Sequence, residues 1–508
     1  MSLGFVTNGA ALQFDSIQRL FLHEIAHPMP QSVNFSPVQR RSQSSFRHRK
    51  AGIFLVLVIG LGMTLTGCWD RDADPTPKGR SDGTPKRLRV LVIDGPEYAK
   101  ALEEFWQTQG EGELAIEQKT QSEIRPDDFR LGTDIIVFPG HMLPELASRH
   151  LLSAVRDETW IDDFEGTDLL PAARKLCYYD GDAYAAPLSN AQLLLGYRTD
   201  LFQKHSIDPP KTWAQYMDAV RTLNAVADKS WSATCEPLGS NWRSEIFFSR
   251  NGSFIKHRNV TSVLFDTESL DPQLSNPAGL RSISQLVEVA KLNSAQTKFS
   301  PSDTFGELLS GKAAMAITLP SSDTKSLPDG EPLPIAFIPL PGSGQYYSVR
   351  QKSWEERAEI ESTALLGAQS QLAAVAFESA YKSASFNLIA TLANSEGYQK
   401  ISSKTSTHGI TRGSQLHDGD FIPAALGAES SQSCQQAIER SQGPQTTYTL
   451  RLPNRSQYLQ KLDGAIEAAI SGQDVLTQLK SVEEEWDAIS NLSKRDEVLE
   501  IYRNSVGQ

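Results

Sequence analysis

From about residue 87 onward the chain alternates short unbroken apolar runs with stretches in which apolar side chains return every three or four residues. Leu88 to Ile93 (LRVLVI) read as a buried strand ending at Asp94-Gly95, and Tyr98, Leu102, Phe105 and Trp106 then mark one face of a helix. Asp134 to Phe138 read as a second buried strand, stopped by Pro139-Gly140. Strands alternating with helices predict mostly parallel sheets covered on both faces. Ligands of such sheets sit at the carboxyl ends of the strands. That rule makes Asp94, Gly140 and His141 candidate cleft residues.

Residues 181–213, GDAYAAPLSNAQLLLGYRTDLFQKHSIDPPKTW, hold the densest local grammar. Gly181-Asp182 is a turn, Tyr184 to Ala186 a short β run, and Pro187 removes an amide and stops the pairing. Leu193 to Tyr197 predict a buried strand, and Asp200 opens a helical turn. Thr212 with Gln215 three residues on makes a capping box, followed by Trp213, Tyr216, Val220 and Leu223 at helical spacing. Further on, Thr304 to Leu309 predict a helix, Ser310-Gly311 a turn and Ala313 to Thr318 a strand. A strand-like Ala336-Phe337-Ile338 runs into Pro339 to Gly342 (PLPG). The closing stripe Leu459, Leu462, Ile466, Ile470, Val475, Leu479, Val482, Trp486 and Ile489 is helical core. Phe105, Trp213 and Trp486 belong to core because their helical neighbours share their face.

Two motifs lose their usual chemistry on inspection. HEIAH (His23 to His27) has the spacing by which two histidines one helical turn apart hold zinc. Pro28 and Pro30 end that helix at once, and the motif lies upstream of an export signal, so no metal site is assigned. GELLSGKA (Gly306 to Ala313) lacks the hydroxyl that a phosphate-binding loop places after its lysine, because Ala313 stands there, and the preceding Phe299 to Asp303 is polar where a strand belongs.

The order of small residues and Pro187, then LLLGY, Asp200-Leu-Phe and PPKTW, resembles the signature of bacterial extracellular solute-binding proteins of the sugar-binding class, which serve ABC importers. FGELLSGKAAMAIT resembles that family's second signature, and NWRSEIFFSRNGSFI its aromatic-rich helix leading to a glycine turn. PLPG resembles a crossover between lobes, and Leu365-Leu366-Gly367 the return; Ala368, Gln369 and Ser370 depart from the glycine-rich pair usual there. Arg198 stands where the family has Asn, which fits either a surface substitution or an acidic ligand.

The resemblance implies an α/β two-lobed periplasmic-binding-protein fold, type II-like, with the ligand cleft between lobes joined by crossover strands. One lobe is expected from residues 87–186 plus about 343–424, the other from 187–342 plus about 425–508. A sugar presents hydroxyls at its rim and aliphatic faces, so its receptor needs fixed polar partners and flat aromatics. Loop positions after strands supply the rest of the expected site: Ser189, Asn190, Trp242, Ser321, Ser322, Tyr346 and Tyr347. No cofactor and no catalytic residue is implied.

Composition and the N-terminus set the compartment. The chain has 508 residues, 39% hydrophobic and 22% charged, with a formal net charge of -12, which argues against a nucleic-acid partner. Arg47, Arg49 and Lys50 precede the apolar run AGIFLVLVIGLGMTL, which ends in LTGC. A positive region, an apolar run too short to span a bilayer and small residues before a cysteine make a lipoprotein export signal, which together with an N-terminal extension occupies residues 1–67, with Cys68 lipidated. The segment before that signal is long, and a start at Met29 would shorten it. Residues 68–86, polar and rich in Pro and Gly, read as a tether. Cys177, Cys235 and Cys434 then allow at most one disulfide.

The expectation is therefore a monomeric lipoprotein on the periplasmic side of the cell membrane. It takes a small-molecule ligand, with a sugar as the leading class, and works with ABC permease subunits. The alternatives are a non-sugar solute on the same fold, service to a sensor, and an exported lipoprotein hydrolase.

Overall fold

The computed structural model describes residues 87–508 except 110–111, 126, 157–167, 259, 321–330, 403, 406–408, 419–425 and 444. The expected export signal, Cys68, the tether and HEIAH lie outside the described residues. In chain order, β1 (Arg87–Ile93), α1 (Pro96–Gln109), β2 (Glu113–Lys119) and β3 (Ile135–Pro139) come first. Next are α2 (Leu143–Ser148), α3 (Pro171–Leu176), a small hairpin of β4 (Tyr178–Tyr179) and β5 (Asp182–Ala183), and β6 (Ala186–Ala191). A second group holds β7 (Leu194–Arg198), α4 (Thr199–Lys204), α5 (Trp213–Val226), α6 (Trp242–Ile255), α7 (Pro277–Ala290), α8 (Pro301–Leu309), β8 (Met315–Thr318) and β9 (Ile335–Pro339). Then follow β10 (Ser343–Ser348), β11 (Ser353–Glu361), β12 (Ala364–Leu366), β13 (Gln369–Val375), α9 (Lys382–Ala393), α10 (Ser395–Ser402), α11 (Gly413–Asp418) and α12 (Ala428–Arg440). The described chain closes with β14 (Thr446–Tyr448), α13 (Arg455–Ile470), α14 (Val475–Leu492) and α15 (Arg495–Ser505).

A five-stranded sheet in the order β2-β1-β3-β13-β6 explains the unbroken apolar runs, because helices cover both of its faces. Val90, Val92, Ile135, Val137, Ala373 and Val375 pack in one core with α1 and α9 residues. Leu91, Ile93, Ile136, Phe138, Leu372 and Ala374 pack in the other with α2 and α3 residues. β1 runs parallel to β2 and β3, while β13 is antiparallel to both β3 and β6. The sheet is thus mixed where αβ alternation predicts parallel pairing, since β13 arrives from far along the chain and not through an αβ unit. Pro187 does not stop β6 as expected; it sits within the strand opposite Leu372. β6 is an edge strand, where a missing amide need not interrupt a ladder on both sides.

The second sheet, β8-β7-β9, is antiparallel throughout, again departing from the parallel expectation. α12 covers the free edge of β9: Ser430 Oγ accepts from the Ile335 amide at 3.4 Å and Ser433 Oγ from the Phe337 amide at 3.1 Å. Hydroxyls from a helix thereby occupy amides that an exposed edge would offer to another chain. The expected FGELLSGKAAMAIT unit is α8, a turn with Gly311 at φ 74°, and β8. α8 begins earlier than expected: Ser300 caps it with Asp303 in a capping box, and Pro301 takes the first position.

Trp213, Tyr216, Phe247, Leu286, Leu462 and Trp486 share a helical core, as their spacing predicts. Phe265 stacks on Trp486 with centroids 5.1 Å apart. The β10-β11 hairpin lies against α6 and α7, with Tyr347 edge-on to Trp354 at 5.5 Å and Phe254 of α6 6.1 Å from Trp354. The chain passes from the first sheet to the second between Ala191 and Leu194 and returns at Gly367, whose φ is 82°. β12 pairs parallel with β14 beside that return. Cys177, Cys235 and Cys434 are all buried, Cys177 Sγ donating to the Ala173 carbonyl at 3.4 Å, and burial pushes the Cys434 thiol up to about 12.

Candidate functional site

The carboxyl ends of β1, β2 and β3 meet through one glutamine. Asp94 turns the chain at φ 49°, and its Oδ1 accepts from the Gln121 amide at 3.1 Å. Gln121 Oε1 lies 3.2 Å from His141 Nε2. Burial holds the His141 pKa well below its ordinary value, and the positive charges of Arg455 and Arg451 add to this. Asp94, Gly140 and His141 therefore gather at one sheet end, with Gln121 joining them unannounced by any motif.

A β-bulge sets the next part. Gln371 of β13 pairs with Ser189, but Leu372 pairs with Pro187, so Leu188 is the extra residue. One added residue inverts the alternation of side chains along the strand. Asn190 thereby comes opposite Ser370, on one face with it. Gly140 completes the row from β3: a Cβ there would lie 2.3 Å from Ser370 Oγ. Ser189 has a structural use, its Oγ accepting from the Gln371 amide at 3.1 Å. Asn190 Oδ1 and Ser370 Oγ are buried without a hydrogen-bond partner among the described residues.

Chain returning through Gly367 brings the row against α6 and the turn after β14. A Cβ on Gly367 would meet Leu176 and Thr449 side chains at 3.3 Å and Ser370 Oγ at 3.9 Å. Glu245, in the first turn of α6, accepts at Oε1 from Thr449 Oγ1 at 2.7 Å and from Arg455 Nη2. Arg455 Nη2 also reaches Thr449 Oγ1 at 3.0 Å. Burial raises the Glu245 pKa, and Arg455 opposes that shift. Glu245 Oε2, Arg455 Nε and two Arg451 nitrogens have no partner among the described residues. The start of α6 is fixed from α13, where Asp463 accepts the Asn241 and Ser244 amides at 2.5 and 2.9 Å. A carboxylate at a helix N-terminus satisfies orphan amides and suits the dipole.

Other expected site residues go elsewhere. Trp242, three residues before Glu245, is partly buried and packs against the helical core. Tyr347 is buried in that core. Tyr346 is half-buried: His257 lies tilted against it with ring centres 4.4 Å apart, Arg357 Cζ lies 5.4 Å from its ring centre, and its hydroxyl donates to Glu355. Ser321 and Ser322 lie outside the described residues. Arg198 forms a fork with Asp200, Nε to Oδ1 at 2.8 Å and Nη2 to Oδ2 at 2.5 Å, which pairs it locally. No motif points to Glu245, Arg451 or Arg455, and at Ser370 only the break of the glycine-rich pattern marks the position.

The sequence pattern of the family described as bacterial extracellular solute-binding protein matches residues 108–425. In shape the chain is similar to an ABC transporter solute-binding protein from Agrobacterium radiobacter K84 in complex with ribitol: TM-score 0.58, 16% identity, 79% of this chain and 98% of that one covered. It is also similar to an ABC transporter solute-binding protein from Agrobacterium vitis S4 with bound D-mannitol: TM-score 0.56, 17% identity, with 80% and 99% covered. The fold is thus the two-lobed α/β architecture of those proteins.

Proposed function

The chain belongs to the family of bacterial extracellular solute-binding proteins, and from that premise we propose that it captures a carbohydrate and presents it to an ABC importer. Membership implies a periplasmic or extracellular-side location and a small-molecule solute. In this reading one lobe is built on the five-stranded sheet and the other on the three-stranded sheet. The ligand sits where β3, β13 and β6 end against α6 and the turn after β14. Closure is a population shift driven by contacts that exist only when ligand bridges the lobes.

The observation that carries the proposal is the set of unpartnered buried polar atoms around that junction. Acceptors (Asn190 Oδ1, Glu245 Oε2), donors (Arg451, Arg455 Nε) and a hydroxyl that is both (Ser370 Oγ) occur together. Buried polar groups are normally paired. Each sugar hydroxyl is itself donor and acceptor, so a polyhydroxylated ligand would satisfy mixed groups of this kind. The ribitol and mannitol of the two similar proteins belong to that class of compound.

A thermal-shift panel of polyols and monosaccharides tests the reading. A ligand of native protein alone stabilises by about 2.7 kcal/mol at a hundred times its Kd, so at least one member should raise the melting temperature in proportion to log concentration. A panel without effect, beside a shift from another solute class, overturns the carbohydrate assignment. Consumption of a glycan by purified protein overturns the reading as a binding protein without catalysis.

Anchoring through a lipid on Cys68 of a monomeric protein completes the proposal. Cys68→Ala is expected to move the protein out of the membrane fraction; equal membrane recovery of the variant would remove the anchor from the account.

A further inference from the structure

Arg451 stands out among the charged groups at this junction. Its side chain is 2% exposed as a residue, and Nη2 reaches the Leu176 carbonyl at 3.4 Å. Its Cζ lies 4.8 Å from the Tyr448 ring centre. Nε and Nη1 have no partner. Arg455 at the same junction is neutralised by Glu245, and the buried Arg250 elsewhere by Glu236 at 2.5 Å. Arg451 forms no ion pair with a carboxylate among the described residues. The neighbours that favour its charge are the Tyr448 phenol and Cys177 thiol, while burial acts more strongly the other way. A guanidinium does not escape by losing its proton, so a buried one without a countercharge is a standing demand for an anion.

A second observation shows where this positive charge is felt. His141, at the end of β3 and beside the Gly140-Ser370 contact, has its pKa lowered first by burial and then by the charges of Arg455 and Arg451. The field of the unneutralised arginine thus reaches the strand-end row that holds Ser370 and Asn190.

We propose that the ligand carries an anionic group, the carboxylate of a sugar acid or the phosphate of a sugar phosphate, which Arg451 hydrogen-bonds through its unpaired nitrogens. This inference rests on the carbohydrate reading and narrows it. Hydroxyls of the same ligand would meet Asn190, Ser370 and Glu245, so the ligand is both polyhydroxylated and charged.

The test is calorimetric titration of the whole exported chain with matched pairs: mannitol against mannonate and mannitol 1-phosphate, galactose against galacturonate and galactose 1-phosphate. A charge-assisted hydrogen bond predicts about tenfold to hundredfold tighter binding of a charged member. Arg451→Met should abolish that preference by weakening the charged member about tenfold or more beyond any loss for its neutral partner, and Arg451→Lys should keep part of the preference. The wild-type comparison decides even if Arg451→Met does not fold. Carboxylate and phosphate arms distinguish which anion is read. Equal or tighter binding of the neutral members overturns the inference and leaves the carbohydrate reading standing, as does a preference surviving in Arg451→Met. Binding of no carbohydrate of either kind overturns both.

Discussion

Replacing Arg250 with methionine is expected to cost the folded protein about 3–5 kcal/mol, because it strands a buried carboxylate. Arg250 and Glu236 have fully buried side chains 2.5 Å apart. Glu236 Oε1 also accepts from Tyr216 OH at 2.7 Å, and Tyr216 OH lies 2.8 Å from Thr234 Oγ1. The guanidinium stacks over Trp213, Cζ 4.5 Å from its ring centre. Removing the cation deprives Glu236 of its countercharge and Trp213 of a covering surface together. Arg250→Met with Glu236→Leu should recover most of the loss, since apolar groups of similar volume commonly replace a buried ion pair without penalty. Urea unfolding followed by tryptophan fluorescence reads both variants, with Trp213 reporting from the network itself. A single variant as stable as wild type, or a double variant no better than the sum of its singles, would refute the coupling.

This network lies inside the part of the chain most readable from sequence, and the contrast with the ligand junction has a physical cause. Trp213 follows a capping box that the structure contains, with the Gln215 amide 3.2 Å from Thr212 Oγ1, and Trp486 follows a helical stripe. Both are local patterns, fixed by spacings of three and four residues. Strand ends are legible for the same reason, so Asp94, Gly140 and His141 can be placed together at one sheet end from sequence. By contrast, Ser370 meets Asn190 only through a bulge at Leu188, and nothing in the sequence of β6 announces that extra residue. Glu245, Arg451 and Arg455 converge from an α6 turn and a segment some 200 residues later, a distance given by the pair Arg455–Glu245 with separation 210. Tyr346 and Tyr347 show the reverse error. A loop aromatic suggests a sugar platform, yet the hairpin pairs one ring with His257 and turns the other into core.

Under the proposed function the same distinction separates residues that hold the fold from residues that would meet a ligand. Asn190 Oδ1 and Ser370 Oγ have no partner among the described residues, so burying them costs stability that the proposed ligand would restore. Ser370→Ala combined with Asn190→Leu, both close to the original shapes, should leave the empty protein as stable as wild type or more stable by about 1–2 kcal/mol. Ligand affinity should fall by about 2 kcal/mol, roughly thirtyfold, as two hydrogen bonds are lost. The opposed signs are the informative part, because a structural polar pair loses stability when removed and a ligand-facing one loses affinity instead. Thermal melts of the empty variant and calorimetry with the tightest carbohydrate of the panel measure the two quantities separately. A destabilised variant that binds as tightly as wild type would assign Asn190 and Ser370 to the fold and move the site away from the strand-end row.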